Sequence, residues 1–350
     1  MTVWENLRAF KSLWVLALAF LGACGLYLLT LWGIVARECI MPVARERTVR
    51  IHEFLQAKAA EQGEARDIYV LGSSVVVEGV DCHVIDPLLK DGWESYNLAW
   101  TAAGPKQWLL ILPALERARP SIVVLCIVAT VGTSPLAADL AAIAGWEGLV
   151  SRRYLATMRP YFGEEDYAKL APCRIWHLMT YRSFPFEALD AYMWESSRPD
   201  LRYEGYATNF KAPWVRRNIA PAKKVAQEIE DIAQRAAIHL VEHPQDALVI
   251  VEEVVRHLRS NCDCQVLLVL APVNPKLRGL LSPEQVESAK QAYRSLAQQQ
   301  GICFVDHTDI LQATDFSDAV HPFSSGRAIW SRALGKALSD CTMARSLRKP

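Results

Sequence analysis

Three short stretches carry residue types that could do nucleophilic chemistry. Gly72-Ser73-Ser74 follows an apolar run at 68–71 (IYVL), Asp318-Ala319-Val320-His321 follows another at 302–305 (ICFV), and Gly104-Pro105 comes shortly after a third at 95–98 (SYNL). A serine hydroxyl is a poor nucleophile until a histidine takes its proton, and that histidine needs an acid to fix its tautomer. Asp and His three residues apart can sit on one turn, with the carboxylate reaching the imidazole's distal nitrogen. The pattern therefore reads as acyl transfer, with Ser74 as nucleophile, His321 as general base and Asp318 as orienting acid. An acyl-transfer intermediate also needs N–H donors for its oxyanion. The backbone N–H of Ser74 and that of Gly104, where no side chain obstructs the approach, are the candidates.

Each piece has a plainer reading. Gly-Ser-Ser after a strand is often only a turn into a helix, Asp-x-x-His can cap a helix, and Gly104-Pro105 can be a helix entry. What favours chemistry is that all three fall in the order a catalytic site needs, each at the end of a strand. His307, beside Asp306 at the end of the last apolar run, is an alternative base or a supporting residue.

The elements that must position these residues are legible as five short apolar runs: 68–71, 95–98, 122–128 (IVVLCIV), 265–271 (QVLLVLA) and 302–305. They are β-branched or aliphatic and mostly lack polar alternation, as strands covered on both faces do. Helical stretches at 47–64, 107–119, 246–260 and 283–300 alternate with them. Strand–helix alternation implies right-handed crossovers and a parallel sheet with helices on both sides, an α/β fold. In such sheets ligands bind outside the carboxyl ends of the strands, where the serine, the glycines and the Asp/His pair converge.

Between Lys11 and Arg37 lie 25 residues without a charge, 12–36, with Trp14 and Trp32 near the two ends. At 1.5 Å per residue this is roughly 37 Å of helix, enough for a hydrocarbon core of about 30 Å. It is too long for a cleaved signal peptide. Leu21-Gly22-Ala23-Cys24 looks like a lipoprotein processing site, but the chain stays largely apolar to Ala36, which favours an uncleaved signal-anchor. Arg8 and Lys11 precede the segment and Arg37, Arg45, Arg47 and Arg50 follow it, so a bare positive-inside count would leave the large domain in the cytoplasm.

More than 100 residues separate the third and fourth strands. That interval, about 132–245, is rich in aromatics. Loops of such length are rare without structure of their own, so a partly helical insertion is expected. Its aromatics form either a lid or carbohydrate-stacking surface or, the favoured reading, a subdomain core.

Composition narrows the function classes. The chain of 350 residues carries 38 Lys+Arg against 38 Asp+Glu, so it lacks the positive charge of a nucleic-acid binder. A hydrophobic fraction of 51% with 11 Trp, 11 Tyr and 10 Phe is not a disordered composition. Nine cysteines, an odd number scattered through a long chain, do not make a disulfide scaffold, though one or two bridges are compatible with them. Cys262-Asp263-Cys264 has no second pair for zinc, Cys126 reads as a small core residue, and His239, His243 and His257 lack acidic ligands at matching spacing. No metal and no cofactor are expected.

LGSSVVVEGVD at 71–81 resembles the first block of the SGNH (GDSL-type) hydrolases, whose nucleophile is the third residue of Gly-Asp-Ser; here that residue is Ser74, with Ser73 in place of Asp. FSDAVHPFSSG at 316–326 resembles the last block, Asp-x-x-His-Pro followed by Gly, which maps Asp318 as orienting acid and His321 as base. The resemblance spans about 66–135 and 246–340. It implies a flavodoxin-like three-layer α/β/α sandwich on a five-stranded parallel sheet, in agreement with the strand count. The chain departs from the family where Ala99 replaces a second-block Gly, leaving Gly104 as the substitute, and where IVATVGTS lacks the third-block Asn, leaving Thr130, Thr133 or Ser134 as stand-in oxyanion donors. Losing one such donor costs on the order of 10²–10³ in rate.

A Gly-Ser-Ser block behind a single N-terminal membrane helix is similar to cell-envelope acylation proteins, namely the teichoic-acid D-alanylation family and the SGNH partners of membrane-bound O-acyltransferases. This implies a catalytic domain outside the cytoplasmic membrane. It would transfer acyl groups, acetyl above all, to an extracytoplasmic polysaccharide or remove them, beside a membrane-bound O-acyltransferase partner. Long folded domains translocate despite flanking charge, so the outside location is expected over the arginine count. The alternative is a catalytically inactive SGNH-like glycan-binding or scaffold partner of such an acyltransferase. The expected organisation is a cytoplasmic tail at 1–11, a transmembrane helix at 12–36, a juxtamembrane linker and helix at 37–65, and an SGNH-like α/β domain at 66–345 containing the insertion.

Overall fold

The computed structural model of the chain describes residues 15, 18–25, 43–61, 66–89, 92–101, 103–128, 151–162, 164, 209–213, 222–242, 246–262 and 264–346. Its elements in chain order are α1 (Val43–Ala60), β1 (Asp67–Leu71), α2 (Ser74–Gly79), α3 (Cys82–Ile85), β2 (Glu94–Asn97), α4 (Pro105–Ala118), β3 (Ile122–Ile127), α5 (Arg152–Thr157), α6 (Arg159–Phe162), α7 (Ala222–Glu242), α8 (Asp246–Asn261), β4 (Gln265–Leu270), α9 (Pro275–Arg278), α10 (Pro283–Gln300), β5 (Cys303–Asp306) and α11 (Ser324–Ser346).

The five strands form one parallel sheet in the order β2-β1-β3-β4-β5. Their side chains alternate between two apolar layers, which is why the runs carry almost no polar residues. Tyr69, Leu71, Val123, Leu125, Leu268 and Leu270 face α1, α4, α8 and α10. Ile68, Val70, Val124, Cys126, Leu267 and Val269 face α2, α3 and α11. The result is a three-layer α/β/α sandwich. The chain adds β2 on one side of β1 and then β3, β4 and β5 on the other, and the switch point between β1 and β3 is where a parallel sheet leaves a crevice at its carboxyl edge.

Element boundaries differ from expectation by one to four residues. The first helix runs Val43–Ala60, and residues 62–65, where the expected helix ends, lie outside the described residues. Ile51 and Leu55 of that helix are fully buried and pack on α4. Of the segment 12–36, residue 15 and residues 18–25 are described; they are helical, with Val15, Leu18, Phe20 and Leu21 exposed. Among the described residues no helix is long and apolar enough to cross a membrane, and the rest of the segment lies outside them.

The insertion is helical where it is described, at α5, α6 and α7. Its aromatics do not build a separate core there. Phe162 is buried in the main core, the Tyr154 hydroxyl donates to the Leu109 carbonyl at 2.9 Å, and the Tyr161 hydroxyl donates to Glu253 at 2.8 Å. Phe210 packs on Phe54, and its carbonyl accepts from the Asn97 N–H at 2.7 Å beside the edge strand β2. Trp146, Trp176 and the other aromatics at 163–208 and 214 lie outside the described residues.

Candidate active site

Ser74 is the first residue of α2, directly after the carboxyl end of β1. This helix is Ser-Val-Val-Val-Glu-Gly, a sequence whose β-branched residues have low helix propensity. Tertiary burial decides its conformation, since Val75, Val76 and Val77 are all within 5% of full burial against the sheet. The turn before it is tight. A side chain at Gly72 would collide with Val76 Cγ2, so only glycine lets strand and helix approach this closely. Ser74 is half-buried, at the head of the helix, where backbone N–H groups lack intrahelical partners.

The Asp318–His321 turn lies between β5 and α11 and is closed on itself. Phe316 and Pro322 form an antiparallel bridge, and the Ser317 N–H donates to the His321 carbonyl at 2.9 Å. Asp318 Oδ1 accepts from the N–H groups of Val320 (2.9 Å) and His321 (2.8 Å), the self-bonding turn that aspartate favours. Asn274, after β4, donates to the Asp318 carbonyl at 3.3 Å and fixes the loop from the neighbouring strand. From the other side, α11 is tied to α2. Arg327 Nε donates to the Glu78 carbonyl at 2.6 Å, the Ser331 hydroxyl accepts from the Asp81 N–H at 2.9 Å, and buried Trp330 covers Gly79 so closely that a Cβ there would lie 2.6 Å from its Cε3.

These two loops bring three side chains into line across 247 residues of sequence. His321 Nε2 is 2.9 Å from Ser74 Oγ, and His321 Nδ1 is 2.7 Å from Asp318 Oδ2 and 3.0 Å from Oδ1. A carboxylate only accepts, so Nδ1 carries the imidazole hydrogen and Nε2 is left to accept from the serine hydroxyl. Burial pushes the Asp318 carboxyl up, but the His321 ring and the two backbone N–H donors outweigh it and hold the group at about 2. Asp318 is therefore ionised at neutral pH and acts as a fixed acceptor.

A fourth group was missed as a site residue by sequence reasoning. Glu78, one turn after Ser74 on α2, is buried, and its Oε1 lies 3.6 Å from His321 Nε2. Its only sequence signal is the four-residue spacing from Ser74, visible once 74–79 is known to be helical. His307, by contrast, is a buried residue whose N–H donates to the Leu270 carbonyl at 3.0 Å; burial pulls its imidazole down to about 4, against a weaker upward pull from Asp306. The imidazole bonded to Ser74 belongs to His321.

Gly104 does border the site, but its N–H donates to Gln107 Oε1 at 3.0 Å, closing the amino end of α4. The glutamine at the third helical position is a capping signal, and it commits the N–H assigned to the oxyanion. Ala99 is similarly committed, its N–H donating to the Asn97 side chain at 3.2 Å. Asn97 is itself used up holding α2, with Nδ2 donating to the Val76 and Val80 carbonyls. Arg47 on α1, nearly fully buried, pins this loop by donating to the carbonyls of Ala99 (2.6 Å) and Asn97 (2.7 Å). Ser74 remains in place as a donor position; Thr130, Thr133 and Ser134 lie outside the described residues.

Beside Ser74 is a cavity of about 300 Å³ between the carboxyl ends of β1 and β3, the start of α4 and one face of α7. The wall from α7 comes from the insertion, which lies outside the span of the family resemblance.

No protein-family model matches this chain, and no curated protein does. Among solved structures, Est24, a carbohydrate acetylesterase from Sinorhizobium meliloti, is similar over 80% of this chain and 99% of that one, with 13% identity and a TM-score of 0.33. A likeness that distant carries no argument about what this chain does.

Proposed function

We propose that this chain is a membrane-anchored serine esterase or acyltransferase that handles O-acyl groups of an extracytoplasmic glycan through an acyl-enzyme on Ser74. The observation that supports it is the continuous hydrogen-bonded line from Ser74 Oγ through His321 to ionised Asp318 at the switch point of the sheet. In the first step Ser74 Oγ attacks the ester carbonyl while His321 Nε2 takes its proton. The tetrahedral centre collapses as His321 returns that proton to the leaving alcohol, and Asp318 stabilises the transient imidazolium without itself taking a proton. In the second step water or a sugar hydroxyl attacks the acyl-enzyme, again with His321 as base, and Ser74 is regenerated. The Ser74 N–H supplies one oxyanion donor.

The anchor is the uncharged segment 12–36, and the glycan substrate and membrane-bound acyltransferase partner belong to the same proposal. A topology reporter fused to Pro350 tests the outside location: signal on the cytoplasmic face would reject it. The chemistry is tested by a fluorophosphonate probe, which should label Ser74 in the wild type and nothing at that position in Ser74→Ala or His321→Ala.

A second reading has one observation in its favour. The Gly104 N–H is committed to Gln107, which removes an oxyanion donor and fits an inactive domain that scaffolds a membrane acyltransferase. On that reading Ser74→Ala leaves surface acylation intact, while deletion of residues 12–36 abolishes it.

A further inference from the structure

We propose that the cavity beside Ser74 is an acyl-chain pocket, and that the acyl group this chain handles is a medium chain of roughly six to ten carbons, not acetyl. This rests on the serine acyl-transfer reading above and deepens it. Ser74 forms part of the cavity wall, so a chain esterified to its Oγ has this space to enter. The other walls are apolar, made chiefly by Trp108, Ile127, Val128, Ile232, Ala236 and Val320. Among the described residues the lining carries one charged side chain, the exposed Arg235 of α7. The cavity thus has an apolar interior with its polar groups at the reacting serine and at the opening, the arrangement an amphipathic acyl ester requires.

Volume decides between short and longer chains. A dry apolar cavity of about 150 Å³ takes up benzene, six carbons. Twice that volume, about 300 Å³, is present here. An acetyl group places a single methyl beyond its carbonyl and would leave most of the space to water against apolar walls, which is unfavourable. A sugar ring does not fit the chemistry either: among the described residues no carboxylate or carboxamide side chain lines the cavity, and buried hydroxyls without partners are costly. The glycan or other acceptor therefore approaches from the open side, past Arg235, while the acyl chain occupies the interior. The pocket also depends on the insertion, because Ile232 and Ala236 of α7 close the side opposite β3.

The test is kcat/KM of the full-length chain in lipid nanodiscs for p-nitrophenyl esters from two to twelve carbons. The expected profile rises from acetate by up to about fourfold per methylene, equivalent to ~0.8 kcal/mol, peaks between six and ten carbons, and falls beyond. Ile232→Trp, which narrows the cavity, should cut the octanoate-to-acetate ratio at least tenfold; using the ratio removes any general loss of fold. A preference for acetate in the wild type, or a ratio untouched by Ile232→Trp, would overturn the pocket assignment while leaving Ser74 as nucleophile. A chain that hydrolyses no ester defeats the catalytic reading instead. In that case calorimetry with octanoate decides the pocket separately: binding weakened by Ile232→Trp supports it, and absence of binding rejects it.

Discussion

Glu78 Oε1 lies 3.6 Å from His321 Nε2, the ring nitrogen that accepts from Ser74. His321 therefore has a carboxyl group facing each of its nitrogens, Asp318 on one side and Glu78 on the other. Glu78 thus borders the same ring nitrogen that meets the Ser74 hydroxyl. Arg327 Nε holds the Glu78 carbonyl at 2.6 Å and so fixes the backbone of this corner. In Glu78→Gln, which keeps the side-chain shape, a carboxamide can donate to Nε2 and compete with the Ser74 hydroxyl for it, so kcat/KM for a soluble ester should fall. An unchanged kcat/KM in that variant would show that Glu78 has no bearing on the base.

Asp318→Asn keeps the turn but offers His321 a group that can donate as well as accept. The imidazole then loses the partner that fixes its hydrogen on Nδ1. The expected loss is about 10³–10⁴ in kcat with little change in KM. Steady-state kinetics on any soluble ester measure it, and a change confined to KM would contradict the orienting role.

Acid should destabilise the fold in two stages. His307 is held neutral by burial at about 4, against 6.5 when unfolded, so the unfolded state binds the extra proton first. Stability is full above pH 6.5 and falls as pH drops toward 4, by about 3 kcal/mol for this one group. Buried His52, also pulled down by burial, adds to the same slope. Asp318, held at about 2 against 3.8, contributes stability that is lost below pH 4. Urea denaturation between pH 7 and 4 measures the first stage, and His307→Phe should flatten it; an unchanged slope in that variant would refute the assignment.

How much of this the chain discloses depends on whether the signal is local. The five strands are legible because strands buried on both faces must be apolar and short, and Ser74, Asp318 and His321 are legible because they follow those strands. Helix α2 is not, since three consecutive valines have low helix propensity and only their burial against the sheet settles the conformation. Glu78 stays hidden for the same reason: without a helix at 74–79 it has no geometric relation to Ser74. The Gly104–Gln107 bond, by contrast, has a local signal, a glutamine three residues on that closes the helix with its own side chain. The wall supplied by α7 and the clamp supplied by Arg47 are long-range packing outcomes, and nothing near those residues in sequence announces them.

Arg47→Met tests that clamp. The apolar stem is retained while the donors to the buried Asn97 and Ala99 carbonyls are lost. Unsatisfied buried acceptors cost about 1–3 kcal/mol each, so unfolding free energy should drop by roughly 2–4 kcal/mol. A loss below about 0.5 kcal/mol in denaturant titration would mean the loop is held by other contacts.

The account stands most directly on the acyl-enzyme. Rapid mixing of the chain with p-nitrophenyl octanoate, acid quenching within the first turnover and mapping of peptide masses should find one octanoyl group per chain, on Ser74, accompanied by a burst of about one equivalent of nitrophenol. His321→Ala should abolish both. An octanoyl group on another residue, or a burst that persists in Ser74→Ala, would contradict the claim that this hydroxyl is the nucleophile.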